Sequence, residues 1–365
     1  MQGIKLIDLP KEHKQYTSQL NQAISNVLNE GKYINGPEVR TFTEKITSYL
    51  NTPFVIPCAN GTDALQVALM ALDLKLGDEI LLPSFNYVAA IETVVLLGLK
   101  PVFVDVNPST FNISIDDLKQ KITSKSKAII VVHLFGLVAE MDEIMTLASH
   151  HQLKVIEDNA QSFGSDYNGK KAGTIGDIGT TSFFPTKNLG CLGDGGAIFC
   201  NDKMLGEKIK AIASHGQKER YTFDYIGVNS RLDTLQAAIL TVKLDFLETR
   251  LHARRSIAKK YIEELQNFSD LVLPSSSQNN NHSYNQFTIQ IPNRDIIKDK
   301  LEKAGIPTMI YYPKALHQQP AYSSFFTSPL PVSEQLCKTV LSLPIHPVLS
   351  EKEQDYIIKI LKEVL

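Results

Sequence analysis

The sequence predicts an α/β protein with a large domain, in which helices flank a mostly parallel central sheet, and a smaller C-terminal α/β domain. Three observations favour this fold. Short apolar runs alternate with helical stretches between about residues 50 and 200. The run at 127–133 is almost continuously apolar, which is typical of a strand buried on both faces of a parallel sheet. After Arg231, longer stretches of helical periodicity follow.

Apolar periodicity, interrupted by Gly and Pro, predicts the elements of the large domain in chain order. Strands are predicted at residues 54–57, 79–82, 101–105, 127–133 and 154–157. Helices are predicted at residues 63–74, 87–99, 116–122 and 141–151. Because strands and helices alternate, we expect parallel strands joined by helical crossovers on both faces of the sheet.

The C-terminal part has a different pattern. One long helix, or two, is predicted at residues 232–261, and the polar tract at 274–281 is expected to be an exposed loop. A strand at 286–291 and helices at 296–304 and 351–365 complete the elements. We therefore expect residues 1–244 to form the N-terminal segment and the large domain, and residues 245–365 to form the small domain.

The composition narrows the classes of function. The formal net charge is −2, so no basic surplus indicates binding to nucleic acid or to an acidic membrane surface. No apolar run approaches the roughly 18 residues that cross a bilayer, and the N-terminus lacks the pattern of a signal peptide. We therefore expect a cytoplasmic protein. The four cysteines form no CxxC pair and the only histidine pair is adjacent, so no metal site is predicted.

The first candidate segment of a functional site is at residues 58–65, where a strand ends, Gly61 turns the chain and a helix begins. A helix N-terminus binds phosphate because its free N–H groups and its dipole face outward, and Thr62 adds a hydroxyl. The alternative is that Thr62 or Asp63 only caps the helix, and the segment by itself favours the cap.

The second segment places Glu157 and Asp158 at the end of a buried strand. In open α/β sheets this end of a strand faces the ligand crevice. A carboxylate there could hold a protonated ring nitrogen. An acidic loop at a strand end is the alternative, and for Asp158 alone the two interpretations are equally supported.

The third segment, at residues 181–196, places Lys187 between an aromatic strand and a glycine-rich turn. An isolated lysine is usually a solvated surface charge. Here the neighbours are apolar or glycine, a costly setting for an ammonium. A lysine in a dry pocket has a lowered pKa and can react with a carbonyl group.

Together the three segments predict a site for pyridoxal phosphate. The helix N-terminus near Gly61 would anchor the phosphate, and Asp158 would keep the ring nitrogen protonated. Lys187 would hold the aldehyde and then move protons. An aromatic ring is expected to stack on the cofactor, and Tyr87 is placed to do so.

At these residues the sequence resembles the DegT/StrS family of pyridoxal-phosphate-dependent nucleotide-sugar aminotransferases, which have the type I aspartate aminotransferase fold. The segment around Lys187 is highly specific, whereas each other match alone would be weak. The matching stretches cover nearly the whole chain in family order: ANGTDALQVAL (59–69), LPSFNYVAA (82–90), VIEDNAQSFG (155–164), SFFPTKNLGCLGDGGAIF (182–199), HGQKERY (215–221), GVNSRLDTLQAAIL (227–240) and YYPKALHQQPAY (311–322).

The resemblance implies which residues bind the cofactor. The implied contacts are Lys187 as the covalent attachment, Asp158 at the pyridine nitrogen, Gln161 near the ring hydroxyl, Gly61, Thr62 and Ser182 at the phosphate, and Tyr87 against the ring. Asn229 would reach the phosphate of the neighbouring subunit, which implies a homodimer with shared active sites. Without the resemblance, a helix cap is the preferred role of Asn229.

The resemblance also implies the substrates. Arg231, Tyr312 and His317 are candidates for binding a nucleotide sugar, since an arginine fork suits phosphate or carboxylate. Salt bridges and surface packing are the alternative roles for these residues.

The sequences of these segments are most similar to those of family members that aminate C3 of a UDP- or dTDP-linked 3-keto hexose for bacterial surface glycans. A 3-keto-N-acetylglucosaminuronic acid is one such sugar, L-glutamate is the expected amino donor, and a 4-keto sugar is the alternative. Family members that remove a hydroxyl have histidine in place of Lys187, so this chain favours transamination.

Two other classes of function are disfavoured. A nicotinamide-dependent oxidoreductase is disfavoured because no GxGxxG follows the first strand. A nucleic-acid-binding regulator is disfavoured because the chain has no surplus of positive charge.

Overall fold

The computed structural model describes residues 3–275 and 280–365. Its helices are α1 (Leu9–His13), α2 (Thr17–Glu30), α3 (Pro37–Leu50), α4 (Gly61–Ala71), α5 (Ala89–Leu96), α6 (Ile115–Lys121), α7 (Met141–His151), α8 (Lys203–Ala213), α9 (Thr234–Asp245), α10 (Leu247–Leu265), α11 (Arg294–Lys303), α12 (Pro331–Thr339) and α13 (Glu351–Val364). Its strands are β1 (Phe54–Cys58), β2 (Glu79–Pro83), β3 (Lys100–Val104), β4 (Ser126–Val132), β5 (Lys154–Asp158), β6 (Asp166–Tyr167), β7 (Lys170–Lys171), β8 (Ile178–Ser182), β9 (Gly196–Cys200), β10 (Gln217–Glu219), β11 (Thr222–Phe223), β12 (Asn280–Asn281), β13 (Phe287–Gln290) and β14 (Val340–Leu343). Within these ranges no helix is both long and apolar enough to cross a membrane.

A seven-stranded sheet forms the centre of the N-terminal part, in the order β1–β9–β8–β5–β4–β2–β3. The five strands from β8 to β3 in that order pair in parallel. Strand β9 pairs antiparallel with β8 and with β1, so of the seven strands it alone runs against the others. The mostly parallel sheet predicted from the alternation of elements is confirmed.

Helices cover both faces of this sheet. Alternate side chains of β4 point to opposite faces. Ile130 packs into one apolar core with residues of α4 and α5, and Ile129 packs into another with residues of α7. The strand is buried on both faces, which explains why its sequence is continuously apolar.

A separate apolar core lies in the C-terminal part. Helices α10, α11 and α13 pack there with the antiparallel pair β13–β14. Ile4 from the N-terminal segment joins this core. The domain boundary after residue 244 falls at the end of α9 and stays a prediction.

All the strands and helices predicted between residues 54 and 158 are present, with ends shifted by a few residues. The helix predicted at 232–261 is two helices, which meet at Phe246. Several elements were not predicted, among them α2, α3, β8 and β9. Strand β8 reads Ile-Gly-Thr-Thr-Ser and has no apolar alternation; its strand form depends on pairing with β5 and β9 on its two sides.

The polar tract predicted as an exposed loop at 274–281 lies partly outside the described residues, at 276–279. Its last two residues correct the prediction, because they form β12 and pair with β6. Asn280 is buried, and its side-chain amide bonds to the backbone N–H and carbonyl of Val138 at 3.4 and 2.6 Å. These hydrogen bonds replace the ones that water would make, so the polar side chain can be buried.

Candidate active site

The carboxyl ends of the parallel strands bring several predicted site residues together. Asp158 ends β5 and Ser182 ends its parallel neighbour β8. Lys187 lies in the turn that follows β8, and Gly61, the first residue of α4, packs against Ser182. The site therefore lies at the edge where open α/β sheets bind ligands.

Lys187 lies in a turn in which its backbone N–H donates to the carbonyl of Phe184 at 2.9 Å. Burial lowers the pKa of the Lys187 ammonium, and the nearby carboxylate of Asp158 only partly opposes this shift. The amine therefore loses its proton more easily than a surface lysine does. Deprotonated, it can act as a nucleophile or as a base.

Asp158 is buried, and its Oδ1 accepts the backbone N–H of Ala160 at 3.0 Å. Burial raises the pKa of Asp158, whereas that hydrogen bond and the charge of Lys187 oppose the rise. A cationic group placed against this carboxylate would hold it in the ionised form. A carboxylate suited to a protonated ring nitrogen and an amine suited to a carbonyl carbon are thus close enough to interact electrostatically.

The adjacent carboxylate, Glu157, points to the other side of the sheet, because neighbouring strand residues alternate. It is fully buried and accepts three backbone N–H groups of residues 173–176 at 2.6–2.9 Å, and Nε2 of His133 at 2.8 Å. The Nδ1 of His133 accepts the N–H of Ala139 at 3.2 Å, so Nε2 carries the proton. Burial would raise the pKa of Glu157, but the contact with His133 and the backbone N–H groups hold it below its usual value. Glu157 therefore anchors a loop beneath the site.

The N-terminus of α4 is capped by Asn60, whose side chain accepts the N–H of Asp63 at 2.8 Å. The alternative that Thr62 or Asp63 is the cap is therefore wrong, and Thr62 lies in the first turn. A Cβ on Gly61 would lie 2.7 Å from the Cβ of Ser182, so glycine is what lets the helix start so close to β8. The N-terminus of α4 and the hydroxyl of Ser182 therefore lie close together, as an anion requires.

Gln161 and Tyr312 connect the strand edge to an aromatic wall. Gln161 accepts the N–H of Phe135 at 2.8 Å and donates through Nε2 to the hydroxyl of Tyr312 at 3.0 Å. Burial raises the pKa of Tyr312, so this hydroxyl keeps its proton. The rings of Tyr312 and Tyr87 lie 6.4 Å apart, and Tyr87 is 58% exposed, which leaves it available to stack on a ligand. Both tyrosines line a cleft of about 490 Å³.

Asn229 and Arg231 flank Ser230, whose hydroxyl accepts the N–H of Ala59 at 3.1 Å. This segment therefore passes beside the start of α4. Asn229 is exposed and does not cap α9, which begins only at Thr234, so the helix-cap alternative is wrong. Arg231 is partly buried and forms no salt bridge with the described residues. Their roles toward a neighbouring subunit and a substrate stay predictions.

His317 is buried, and both of its ring nitrogens have partners within the chain. Nδ1 lies 2.7 Å from Oγ of Ser84 and Nε2 lies 3.3 Å from Oε1 of Glu334, while the ring stacks on Phe326 at 5.0 Å. Burial lowers the pKa of His317, so the ring is neutral at neutral pH. These contacts agree with the alternative role in packing. A contact with substrate stays a prediction, and it would require a partner of the ring to move.

The arrangement fits pyridoxal phosphate. Gly61, the first residue of α4, approaches Ser182 so closely that a Cβ would not fit, and the N–H groups of this helix terminus suit a phosphate. Asp158 would hold the pyridine nitrogen and Lys187 would bind the aldehyde carbon. In the two described ranges no group of three or more His, Cys, Asp or Glu side chains could hold a metal ion.

Two residues that shape the phosphate cradle were missed by the sequence analysis. A signal for Asn60 was present, since Asn is a preferred N-cap, but Thr62 and Asp63 gave the same signal two and three positions later. Ser230 had no local signal, because its contact with Ala59 spans 171 residues of sequence.

The chain is similar to known proteins along nearly its full length. The model of the DegT/DnrJ/EryC1/StrS aminotransferase family matches residues 14–362. The chain is 44% identical to UDP-2-acetamido-2-deoxy-3-oxo-D-glucuronate aminotransferase of Pseudomonas aeruginosa, over 95% of this chain and 96% of that protein. It is 41% identical to dTDP-3-amino-3,6-dideoxy-alpha-D-galactopyranose transaminase of Aneurinibacillus thermoaerophilus, over 98% of each.

Solved structures agree in fold. A DegT DnrJ EryC1 StrS aminotransferase from Brucella abortus has a TM-score of 0.95 at 42% identity and covers 99% of both chains. The Bacillus subtilis protein NtdA, solved with bound cofactor PMP, has a TM-score of 0.89 at 34% identity, over 95% of this chain and 81% of that one. The predicted type I aminotransferase fold is confirmed by such neighbours.

Proposed function

The chain belongs to the DegT/DnrJ/EryC1/StrS aminotransferase family, and on that premise we propose that it transfers the amino group of L-glutamate to C3 of a UDP- or dTDP-linked 3-keto hexose, with pyridoxal phosphate as cofactor. Such an enzyme would act in the cytoplasm on precursors of bacterial surface glycans. The observation that carries the proposal is that the buried groups of Lys187 and Asp158 interact at the carboxyl ends of neighbouring parallel strands.

Each residue of the pocket has a defined task in amino transfer. When bound, the cofactor supplies an electron sink for the carbon that loses its proton. Asp158 keeps the ring nitrogen protonated by its charge. The Nζ of Lys187 takes the proton from the α-carbon of the amino donor, which its lowered pKa favours. The cradle at Gly61 and Ser182 fixes the phosphate and so the distance between Lys187 and the reacting carbon.

The position of the keto group is supported by the relatives. The Pseudomonas aeruginosa protein is named for a 3-oxo sugar and the Aneurinibacillus thermoaerophilus protein for a 3-amino sugar. The first is a UDP-linked uronic acid and the second a dTDP-linked deoxyhexose. A 3-keto-N-acetylglucosaminuronic acid is therefore the first sugar to test, and a 4-keto sugar is the alternative.

We also propose a homodimer in which Asn229 of one protomer reaches the phosphate cradle of its partner. Asn229 is exposed in the single chain. Large apolar side chains are exposed nearby: Phe184 and Leu192 flank the turn of Lys187, and Tyr33 and Ile34 precede α3, with the carbonyl of Tyr33 bonded to the start of α9. A second copy of the chain that covers them would explain this exposure.

Absorbance spectroscopy tests the proposal. We expect the protein to develop a visible absorbance band with pyridoxal phosphate and to lose it when L-glutamate is added. Lys187→Ala should develop no such band, whereas Lys127→Ala, an exposed residue at the opposite end of the sheet, should behave as the wild type does. A wild-type protein that never develops the band would refute the cofactor, and a band unchanged by L-glutamate would refute the donor.

The sugar is tested by turnover of the glutamate-treated protein with 3-keto and 4-keto nucleotide sugars. We expect the band to return only with the 3-keto substrates. Return with 4-keto substrates alone would replace C3 by C4 and leave the rest of the proposal intact.

A further inference from the structure

Two segments that are far apart in sequence, and that carry the two tyrosines of the aromatic wall, are joined by hydrogen bonds. Ser84 follows β2, and its backbone N–H donates to the carbonyl of Val104 at the end of β3, at 2.9 Å. The carbonyl of Ser84 accepts the N–H of Leu316 at 2.9 Å, and its Oγ lies 2.7 Å from Nδ1 of His317. The loop after β2 is therefore fixed to the segment that follows Tyr312.

The tautomer of His317 follows from its partners. The carboxylate of Glu334 can only accept, so Nε2 carries the proton and donates to it at 3.3 Å. Nδ1 is then an acceptor, and the hydroxyl of Ser84 donates to it at 2.7 Å. Burial lowers the pKa of His317, which keeps the ring in this neutral form at neutral pH. The imidazole thus connects Ser84 with Glu334.

Glu334 is itself held in place by the strand next to β2. Helix α12 carries Glu334, and the first N–H groups of this helix are bound by Asp105, the residue after β3. The carboxylate of Asp105 accepts the N–H of Val332 at 3.0 Å and that of Ser333 at 2.8 Å. Since β2 and β3 pair in parallel, both partners of His317 are attached to neighbouring strand ends. The position of the ring is therefore fixed from two sides.

The loop that His317 holds leads to an exposed ring. Ser84 and Asn86 are buried, and Oδ1 of Asn86 accepts the N–H of Tyr87 at 2.6 Å. The ring of Tyr87 is 58% exposed, and within the described chain its one aromatic neighbour is Tyr312 at 6.4 Å. Packing therefore does little to fix the Tyr87 ring, and its position depends on the backbone contacts that precede it.

We propose that His317 is a positioning residue, which through its hydrogen bond with Ser84 fixes the loop of Tyr87 so that this ring stacks on the cofactor. The inference rests on the proposed function, since it assumes pyridoxal phosphate in the site. Two apolar residues in place of His317 and Ser84 would be about as stable, because a buried polar pair gains little net stability. What the pair adds is direction, since hydrogen bonds fix angles as well as distances.

Titration of the protein with pyridoxal phosphate tests this role. Tyr87→Ala should weaken cofactor binding about fivefold, the size of one aromatic stacking contact. His317→Phe keeps a ring against Phe326 but removes both hydrogen bonds, and it should weaken binding by up to the same factor. Ser84→Ala removes the pair from the other side and should act alike. His317→Asn, whose Oδ1 can replace Nδ1 as the acceptor, should keep most of the affinity.

The deciding measurement is His317→Phe in a protein that already lacks the Tyr87 ring. If His317 acts through Tyr87, the double variant should bind the cofactor as tightly as Tyr87→Ala alone. A purely structural His317 would weaken binding by the same factor in both backgrounds. That additive result, or an unchanged affinity of His317→Phe, would overturn the inference. Ser84→Ala in the same two backgrounds gives the answer if His317→Phe does not fold.

His150→Phe is the matched control, since His150 is exposed at the end of α7 that leads into the start of β5, away from the carboxyl ends of the strands. It should leave the affinity for pyridoxal phosphate unchanged. The wild type separates the two claims. A wild type that binds no pyridoxal phosphate contradicts the proposed function, whereas normal binding with additive losses contradicts the role of His317 alone.

Discussion

Lys243 of α9 has no access to solvent, and the guanidinium of Arg250 lies close enough to disfavour its charge. Burial lowers its pKa to about 8, Arg250 lowers it too, and the carboxylate of Glu12 only partly compensates. Glu12 is already paired with Arg250 at 2.6 Å, so one carboxylate serves several cations. We expect Lys243→Met to stabilise the protein at neutral pH.

The size of the effect follows from the pKa. A fall from the ordinary 10.5 to about 8 corresponds to about 3 kcal/mol against the charged lysine in the folded state, at about 1.4 kcal/mol per pKa unit. Below pH 8 both the folded and the unfolded chain bind the proton, and the full cost is present. Between pH 8 and 10.5 only the unfolded chain keeps it, so the stability of the wild type rises with pH in this window.

Denaturant unfolding at pH 7 and pH 9 measures this effect. The advantage of Lys243→Met should be about 1.3 kcal/mol smaller at pH 9 than at pH 7. Two neighbouring groups do not titrate between pH 7 and pH 9, since burial lowers the pKa of His13 from 6.5 and raises that of Cys191 to about 11. Lys210→Met, at an exposed position of α8, is the control and should show no such difference. An advantage equal at both pH values would refute the reasoning.

Two other substitutions address the neighbourhood of the cofactor. Glu157→Gln should lower the free energy of unfolding by about 3 kcal/mol at pH 7, as measured by chemical denaturation. The reason is that an amide replaces a buried carboxylate that accepts hydrogen bonds from His133 and from three backbone N–H groups. Since the pKa of Glu157 is lowered in the folded state, its contribution is lost only as pH falls through that value, and the variant should lose less stability in acid. Gly61→Ala would place a Cβ 2.7 Å from that of Ser182, so we expect at least about a tenfold loss of affinity for pyridoxal phosphate, measured by titration; an unchanged Kd would contradict the cradle.

Much of the sheet was predictable because burial on both faces leaves a local signal. Strands such as β4 are continuously apolar and are separated by amphipathic helices, so their positions follow from a short window of sequence. Strand β8, which carries Ser182, had no such signal, since its small polar residues become a strand only through pairing on both sides. The burial of Lys243 was equally hidden, because Glu12 and Arg250 approach each other from positions 238 residues apart.

The adjacent carboxylates at the end of β5 show how far the sequence can go. Their position at the end of a buried strand was enough to predict a ligand site there, and the alternation of a strand requires them to face opposite sides. Which side belongs to the ligand depends on other elements. Glu157 accepts the N–H groups of residues 173–176 and its pKa falls, whereas Asp158 interacts with the charge of Lys187 and its pKa rises with burial. The opposite pKa shifts distinguish Glu157, whose charge is already compensated within the protein, from Asp158, whose charge is not. Only Asp158 would be stabilised further by a cationic ring.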